Sequence, residues 1–145
     1  MNIEKIISNV TSGSDLSEDE TFQIINAIFE GKISEEKIIS FLQALSEKGE
    51  SVEEIVGAVK SMRKHSIKVN TNLKDLVDCC GTGGLGKNIM NISTCSAFVA
   101  AAGGVKIAKH GNRTSTGVSG SADILEAAGV NISIDSEQVS KCLES

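Results

Sequence analysis

Through the first 65 positions apolar residues recur at helical spacing; beyond them come short apolar runs separated by glycines. "SEDE" at 17–20 and "SVEE" at 51–54 have the form of capping boxes, in which a serine oxygen covers free N–H groups at a helix start and a glutamate reaches back. The first leads to Phe22, Ile25, Ile28 and Phe29, ending at Gly31. Ser34 opens a segment carrying Ile38, Phe41, Leu42 and Leu45, ending at Gly49. The second box leads to Val52, Ile55, Val56, Val59 and Met62. With Ile3, Ile6, Ile7 and Val10 at the start, the pattern predicts four short helices in a module over residues 1–66. Grouped histidines, cysteines or catalytic-looking pairs are absent from it, so its expected role is packing or subunit contact.

A polar linker over 67–75 follows, and from 76 to 145 apolar runs alternate with helical segments. "LVDCC", "VKIAK" and "NISI" read as strands; 92–102, 121–128 and 136–143 read as helices. Strand–helix alternation implies a parallel sheet with helical crossovers. The expected class is therefore α/β: an N-terminal all-helical module followed by the first part of an α/β domain with a parallel sheet.

Of the 14 glycines, 10 lie between positions 81 and 129, at the turns of this second region. The densest cluster is Gly81, Gly83, Gly84 and Gly86, directly after the first expected strand. Ligands of open parallel sheets sit beyond the C-terminal ends of strands. Glycines there let successive N–H groups turn inward as an anion nest. A helix starting near Asn91 aims its N-terminus at the same place, with Ser93 and Thr94 adding hydroxyls. The chemistry this favours is phosphate binding. The spacing is not that of a Walker A loop. Gly81-x-Gly83-x-x-Gly86 fits the bare dinucleotide pattern, but the next strand ends in "AKHGNR" where an acidic residue would hold a ribose diol.

Charge sharpens the picture. The net charge is −5, which argues against nucleic acid as a partner, yet no Asp or Glu occurs between Cys79 and Ala122, where Lys87, Lys106, Lys109 and Arg113 all fall. A small anionic ligand at one locus fits that distribution. "TSTGVSGSAD" follows, with hydroxyls at Thr114, Ser115, Thr116, Ser119 and Ser121. Ser119 or Ser121 could instead cap the next helix, and Asp123 could compensate its dipole. No apolar run is long enough to span a bilayer, no signal-peptide layout opens the chain, and cytoplasmic is the expected location. The four cysteines lack metal-ligand spacing and are expected as reduced, mostly buried thiols.

"GTGG…NIST…KHGNR…SGSADILEAAGVNI" closely resembles the anthranilate phosphoribosyltransferase family, and "FEGKISEEKIISFLQALSEKGESVEEIVGAVKSMR" resembles that family's helical region. The resemblance implies transfer of phosphoribosyl from phosphoribosyl pyrophosphate to the amine of anthranilate, with inversion, Mg²⁺ and release of pyrophosphate. It places Gly81, Gly84 and Leu85 at the diphosphate loop. Ile89, Asn91, Ile92, Ser93 and Thr94 would line the phosphate site, with Ser93 matching the magnesium-associated serine. Lys109, His110, Gly111, Asn112, Arg113, Thr114, Ser115, Thr116 and Gly117 would wrap the phosphoribosyl group, with Ser121 nearby. Gly81 and Asn112 would border anthranilate. No covalent nucleophile, acid or base is implied. A homodimer through the helical module is expected.

Departures from the family pattern are Leu85 in place of an Asp, Ile89 in place of a Thr, Val118 in place of a Lys and Thr116 in place of a Ser. Family members also continue past this length, carrying an arginine for the anthranilate carboxylate and an acidic pair for Mg²⁺. The chain is thus expected to hold the N-terminal half of the site. Two alternatives remain open: a pyrimidine nucleoside phosphorylase-like enzyme, against which "KHGNR" speaks, and a non-catalytic phosphosugar-binding or assembly module.

Overall fold

A computed structural model describes residues 3–81, 90–114 and 119–145. Its helices are α1 (Ile3–Thr11), α2 (Glu18–Phe29), α3 (Glu35–Lys48), α4 (Val52–His65), α5 (Ile92–Ala102), α6 (Ser121–Ala127) and α7 (Ser136–Glu144). They fall into two units, Met1–Ile67 and Lys68–Ser145.

In the first unit both expected capping boxes form. Ser17 Oγ accepts from Glu20 N–H at 3.3 Å while Glu20 Oε2 accepts from Ser17 N–H at 3.0 Å. Ser51 and Glu54 exchange the same pair of bonds at 3.3 and 2.7 Å. Ser34 is the N-cap of α3 without a side-chain capping bond. The core joins Ile6 and Val10 of α1, Leu16 just before α2, Ile24 and Ala27 within it, Ile33, and Phe41 and Ala44 of α3.

The fourth helix departs from its sequence pattern. Val52, Ile55, Val59 and Met62, which share one helical face, are 46–72% exposed. The helix packs on α2 through small residues instead. A Cβ on Gly57 would lie 2.3 Å from Glu18 O, and Thr21 and Ser61 are fully buried. Glycine is disfavoured inside helices, but here it lets two backbones approach where any side chain would collide. The same seam buries the Glu54 carboxylate. It accepts from Leu16 N–H at 3.0 Å, from Ser51 N–H, and from Lys48 Nζ at 2.9 Å, which also bonds Asp15 at 2.6 Å. Burial pushes the Glu54 carboxyl up, but the Ser51 and Leu16 N–H groups and the Lys48 ammonium together hold it below its ordinary value.

In the second unit the expected sheet is reduced, among the described residues, to one parallel bridge between Val77 and Ile107. Val77 N–H donates to Lys106 O at 2.8 Å, and Ala108 N–H to Val77 O at 2.9 Å. Residues 131–134, expected as a strand, take no strand conformation. Parallel strands persist when helices cover both faces. Here Val77, Val105, Phe98 and Val99 stay 41–74% exposed, so little apolar burial extends the pairing. The expectation of buried thiols is also corrected: the four cysteines are free, but Cys80, Cys95 and Cys142 are exposed and Cys79 is half-buried. Thr94 and Ala97 are the buried positions among the described residues of this unit.

The three helices among the described residues of the second unit lie where the sequence places them. Gly104 and Gly129 follow α5 and α6 with φ of +90° and +87°, closing each helix in the left-handed conformation glycine favours. Asp135 and Gln138 cap α7 reciprocally at 2.8 and 3.0 Å. Part of the expected linker is tied to this helix: Ser140 Oγ donates to Asn70 O at 2.5 Å, and Thr71 Oγ1 to Glu144 Oε1 at 3.1 Å.

Candidate functional site

The backbone leaving Val77 passes directly to Asp78, Cys79 and Gly81. Cys79 Sγ donates to Ser93 O at 3.3 Å, and a Cβ on Gly81 would lie 3.9 Å from Ser93 Oγ. The end of the bridged segment and the first turn of α5 are therefore in contact. Asn91, N-cap of that helix, turns its amide away from its own backbone. Its Nδ2 donates to Ser119 O and Gly120 O, both at 3.2 Å, joining the start of α5 to the start of α6.

Residues 112–114 pack against Gly120. A Cβ there would stand 2.3 Å from Asn112 O and 2.6 Å from Thr114 N, so only glycine fits. Asp123 clamps the arrangement by accepting from Gly120 N–H at 2.7 Å and Thr114 N–H at 3.0 Å. Those two N–H groups, with Arg113 nearby, hold its carboxyl below the ordinary range. Arg113 forms a fork with Glu126, at 2.6 and 2.9 Å. That pairing lowers the Glu126 carboxyl and raises the guanidinium. Gly111 lies against Ser121, Asn112 Oδ1 accepts from Arg113 N–H at 2.8 Å, and Lys109 Nζ curls onto His110 O at 3.0 Å. Asp78 accepts from the His110 backbone N–H at 3.3 Å and faces its Nδ1. Burial opposes ionisation of Asp78, but the His110 bonds outweigh it and hold the carboxyl low.

Gly81, Asn91, Ser93, Lys109, His110, Gly111, Asn112, Thr114 and Ser121, all expected at the site, thus belong to one contact network or its immediate neighbours. Thr94 is buried, only 3% exposed, and Ile92 is 58% exposed. Neither serine caps α6, whose N-cap is Gly120 with Ser121 opening the helix, while Asp123 sits in the first turn as that alternative had it and accepts from the Gly120 N–H. Arg113 has carboxylate partners that the sequence reading did not assign. Gly83, Gly84, Leu85, Gly86, Lys87, Ile89, Ser115, Thr116, Gly117 and Val118 lie outside the described residues. Asp78 was missed. Its signal was its place as the last acid before the acid-free stretch that opens at Cys79.

Chemically, the locus offers a lysine, serine hydroxyls and closely approaching backbone. The nearby acids are engaged by His110, by backbone N–H groups or by Arg113. For a metal the donor set falls short: the described residues contain no group of three or more His, Cys, Asp or Glu able to hold an ion. Ser93 alone does not supply the six oxygens of octahedral Mg²⁺.

Residues 73–145 match the "Glycosyl transferase family, a/b domain", and residues 4–66 match the "Glycosyl transferase family, helical bundle domain". The chain belongs to this glycosyl transferase family. A helical module followed by an α/β domain is the architecture these matches describe. Among curated relatives, this glycosyl transferase chain is 51% identical to "Anthranilate phosphoribosyltransferase" of Acetivibrio thermocellus, over 98% of its own length and 41% of that protein. It is 46% identical to the protein of the same name from Teredinibacter turnerae, over 99% of its length and 42% of that protein. A solved structure, anthranilate phosphoribosyltransferase from Thermus thermophilus, superposes with a TM-score of 0.85 at 40% identity. That match covers 96% of this chain and 42% of the other. The chain spans less than half the length of the relatives it matches. None of its described helices is long and apolar enough to cross a membrane.

Proposed function

We propose that this chain binds phosphoribosyl pyrophosphate and contributes the N-terminal half of a site that transfers phosphoribosyl to anthranilate, a step of tryptophan biosynthesis. The observation that carries the proposal is the joining of "NIST" and "KHGNR" through Gly120, with Asn91 bonded to it on one side and Asn112 packed on the other. The family membership and the names of the relatives support the same reaction.

In this reading Gly81, Asn91 and Ser93 face the diphosphate, while Lys109 to Thr114 and Ser121 surround the phosphoribosyl group. Asn112 borders anthranilate. Departure of pyrophosphate builds positive charge on the ribose and negative charge on the leaving group. Lys109 and the fixed backbone dipoles stabilise the latter, so catalysis is largely positioning and electrostatics. Mg²⁺ is the expected cofactor and Ser93 its contact, but the described residues do not build its site. The expected setting is the cytoplasm, with a homodimer formed through the helical module, whose exposed apolar residues supply surface for self-association.

Titration calorimetry with Mg²⁺ and phosphoribosyl pyrophosphate tests the reading. Binding that weakens roughly tenfold or more in Lys109→Ala, the loss of about one charged hydrogen bond, is expected. Absence of binding by the parent chain, or equal affinity of the variant, would falsify it.

A further inference from the structure

The Val77–Ile107 bridge has a side-chain consequence one residue further along. It sets Asp78 beside His110, and the carboxylate takes hold of the loop at two points: Oδ1 on the His110 backbone N–H at 3.3 Å and Oδ2 on the ring Nδ1. Fixing backbone and ring together leaves the imidazole little freedom to turn. An ionised carboxylate only accepts, so the ring nitrogen facing it carries the proton. The other nitrogen is then the acceptor. The pair is open to a ligand, with the His110 side chain 74% exposed and that of Asp78 36%. Lys109 bonds the His110 carbonyl rather than the ring, so its charge fixes the same loop without competing for Nδ1.

We propose that Asp78 is a positioning residue that holds His110 in its Nδ1–H form, so that Nε2 accepts the proton released by the arylamine acceptor. The acceptor role rests on the transferase reading above. As the amine nitrogen bonds to C1 of the ribose, the bond from C1 to the pyrophosphate oxygen breaks and its electron pair leaves with pyrophosphate. The nitrogen, now cationic, passes one N–H proton to Nε2. The resulting imidazolium is neutralised by the Asp78 carboxylate until water takes the proton.

The chain contains two histidines, which makes the test direct. In the first unit His65 Nε2 bonds Asn26 Oδ1 at 3.0 Å, the opposite nitrogen, and serves as an internal reference. Long-range ¹⁵N spectra of the neutral rings are expected to show Nδ1–H at His110 and Nε2–H at His65. Asp78→Ala should lower the Nδ1–H to Nε2–H ratio of His110 on the order of fivefold, the upper range for a partly exposed charged pair. His65 should not change. Asp78→Asn, which keeps the shape of the side chain, should move His110 in the same direction and serves if the alanine variant unfolds. An Nε2–H His110 in the parent chain, or a tautomer indifferent to both substitutions, overturns the proposal. Adding anthranilate with Mg²⁺ and pyrophosphate should shift Nε2. A tautomer set by Asp78 together with an unresponsive Nε2 would uphold the positioning and overturn the acceptor role alone, the transferase reading standing or falling with the calorimetry above.

Discussion

A Cβ placed on Gly111 would stand 1.9 Å from Ser121 Oγ and 3.1 Å from Ser121 Cβ, so the "KHGN" loop and the first turn of α6 meet with room for another atom only if that hydroxyl turns and the turn gives slightly. The nearest obstacle is a rotatable hydroxyl, so Gly111→Ala is expected to leave the fold intact while turning that hydroxyl away. If Ser121 contacts the phosphoribosyl group, affinity for phosphoribosyl pyrophosphate falls about tenfold, the worth of one hydrogen bond at the upper end. Ser121→Gly in the same background should be no worse than the single variant. Calorimetry that returns parental affinity for Gly111→Ala removes Ser121 from the site. At Gly120 the obstacles are backbone atoms, which no rotamer relieves. Gly120→Ala should cost about 1–3 kcal/mol of stability in the second unit, read as a lower denaturation midpoint for that unit.

Arg113 decides between two roles. Its fork with Glu126 and its approach to Asp123 occupy the guanidinium with carboxylates. If that is its whole function, Arg113→Ala and Glu126→Ala weaken phosphoribosyl pyrophosphate binding by similar, small factors, below about threefold, as for exposed ion pairs. A loss above tenfold in Arg113→Ala with Glu126→Ala unchanged would show the arginine turning to the ligand instead.

Glu54 makes the first unit acid-sensitive. Its carboxyl is held below its ordinary value in the folded chain, so its contribution is complete above the unfolded value, about 4.3, and is lost as pH falls through the depressed folded value. Glu54→Ala strands the Leu16 and Ser51 N–H groups and takes one of two carboxylate partners from the Lys48 ammonium, which keeps Asp15. It should cost about 2–4 kcal/mol at pH 7. The gap between parent and variant in denaturant titrations should narrow as pH falls below the unfolded value, about 4.3, toward the depressed folded one. A constant gap across that window would mean that the carboxylate contributes by shape alone.

Much of the fold was legible because its signals are local. Ser17 with Glu20 and Ser51 with Glu54 start helices by bonds three residues apart, and Gly104 and Gly129 end them by their own φ. Which face of α4 packs was not legible. The apolar stripe from Val52 to Met62 suggests one face, while the packing follows Gly57, whose partner Glu18 is remote in sequence. The site divides in the same way. "NIST" and "KHGNR" announce themselves by residue type. Asp78 reads as one more strand position until the bridge brings it to a histidine 32 residues away. Arg113 reads as a free cation until Glu126 comes into range on α6.

Thr94 and Ala97 are the buried positions among the described residues of the second unit, which leaves its order to rest largely on hydrogen bonds and ion pairs that water can contest. Such a unit gains from whatever binds only its folded form. A ligand at a hundred times its dissociation constant adds about 2.7 kcal/mol, a sizeable share of a small domain's whole margin. On the proposed function, the concentration of phosphoribosyl pyrophosphate would by occupancy govern amide exchange, protease resistance and lifetime of this half of the chain. The capped, carboxylate-pinned helical module would be indifferent to it.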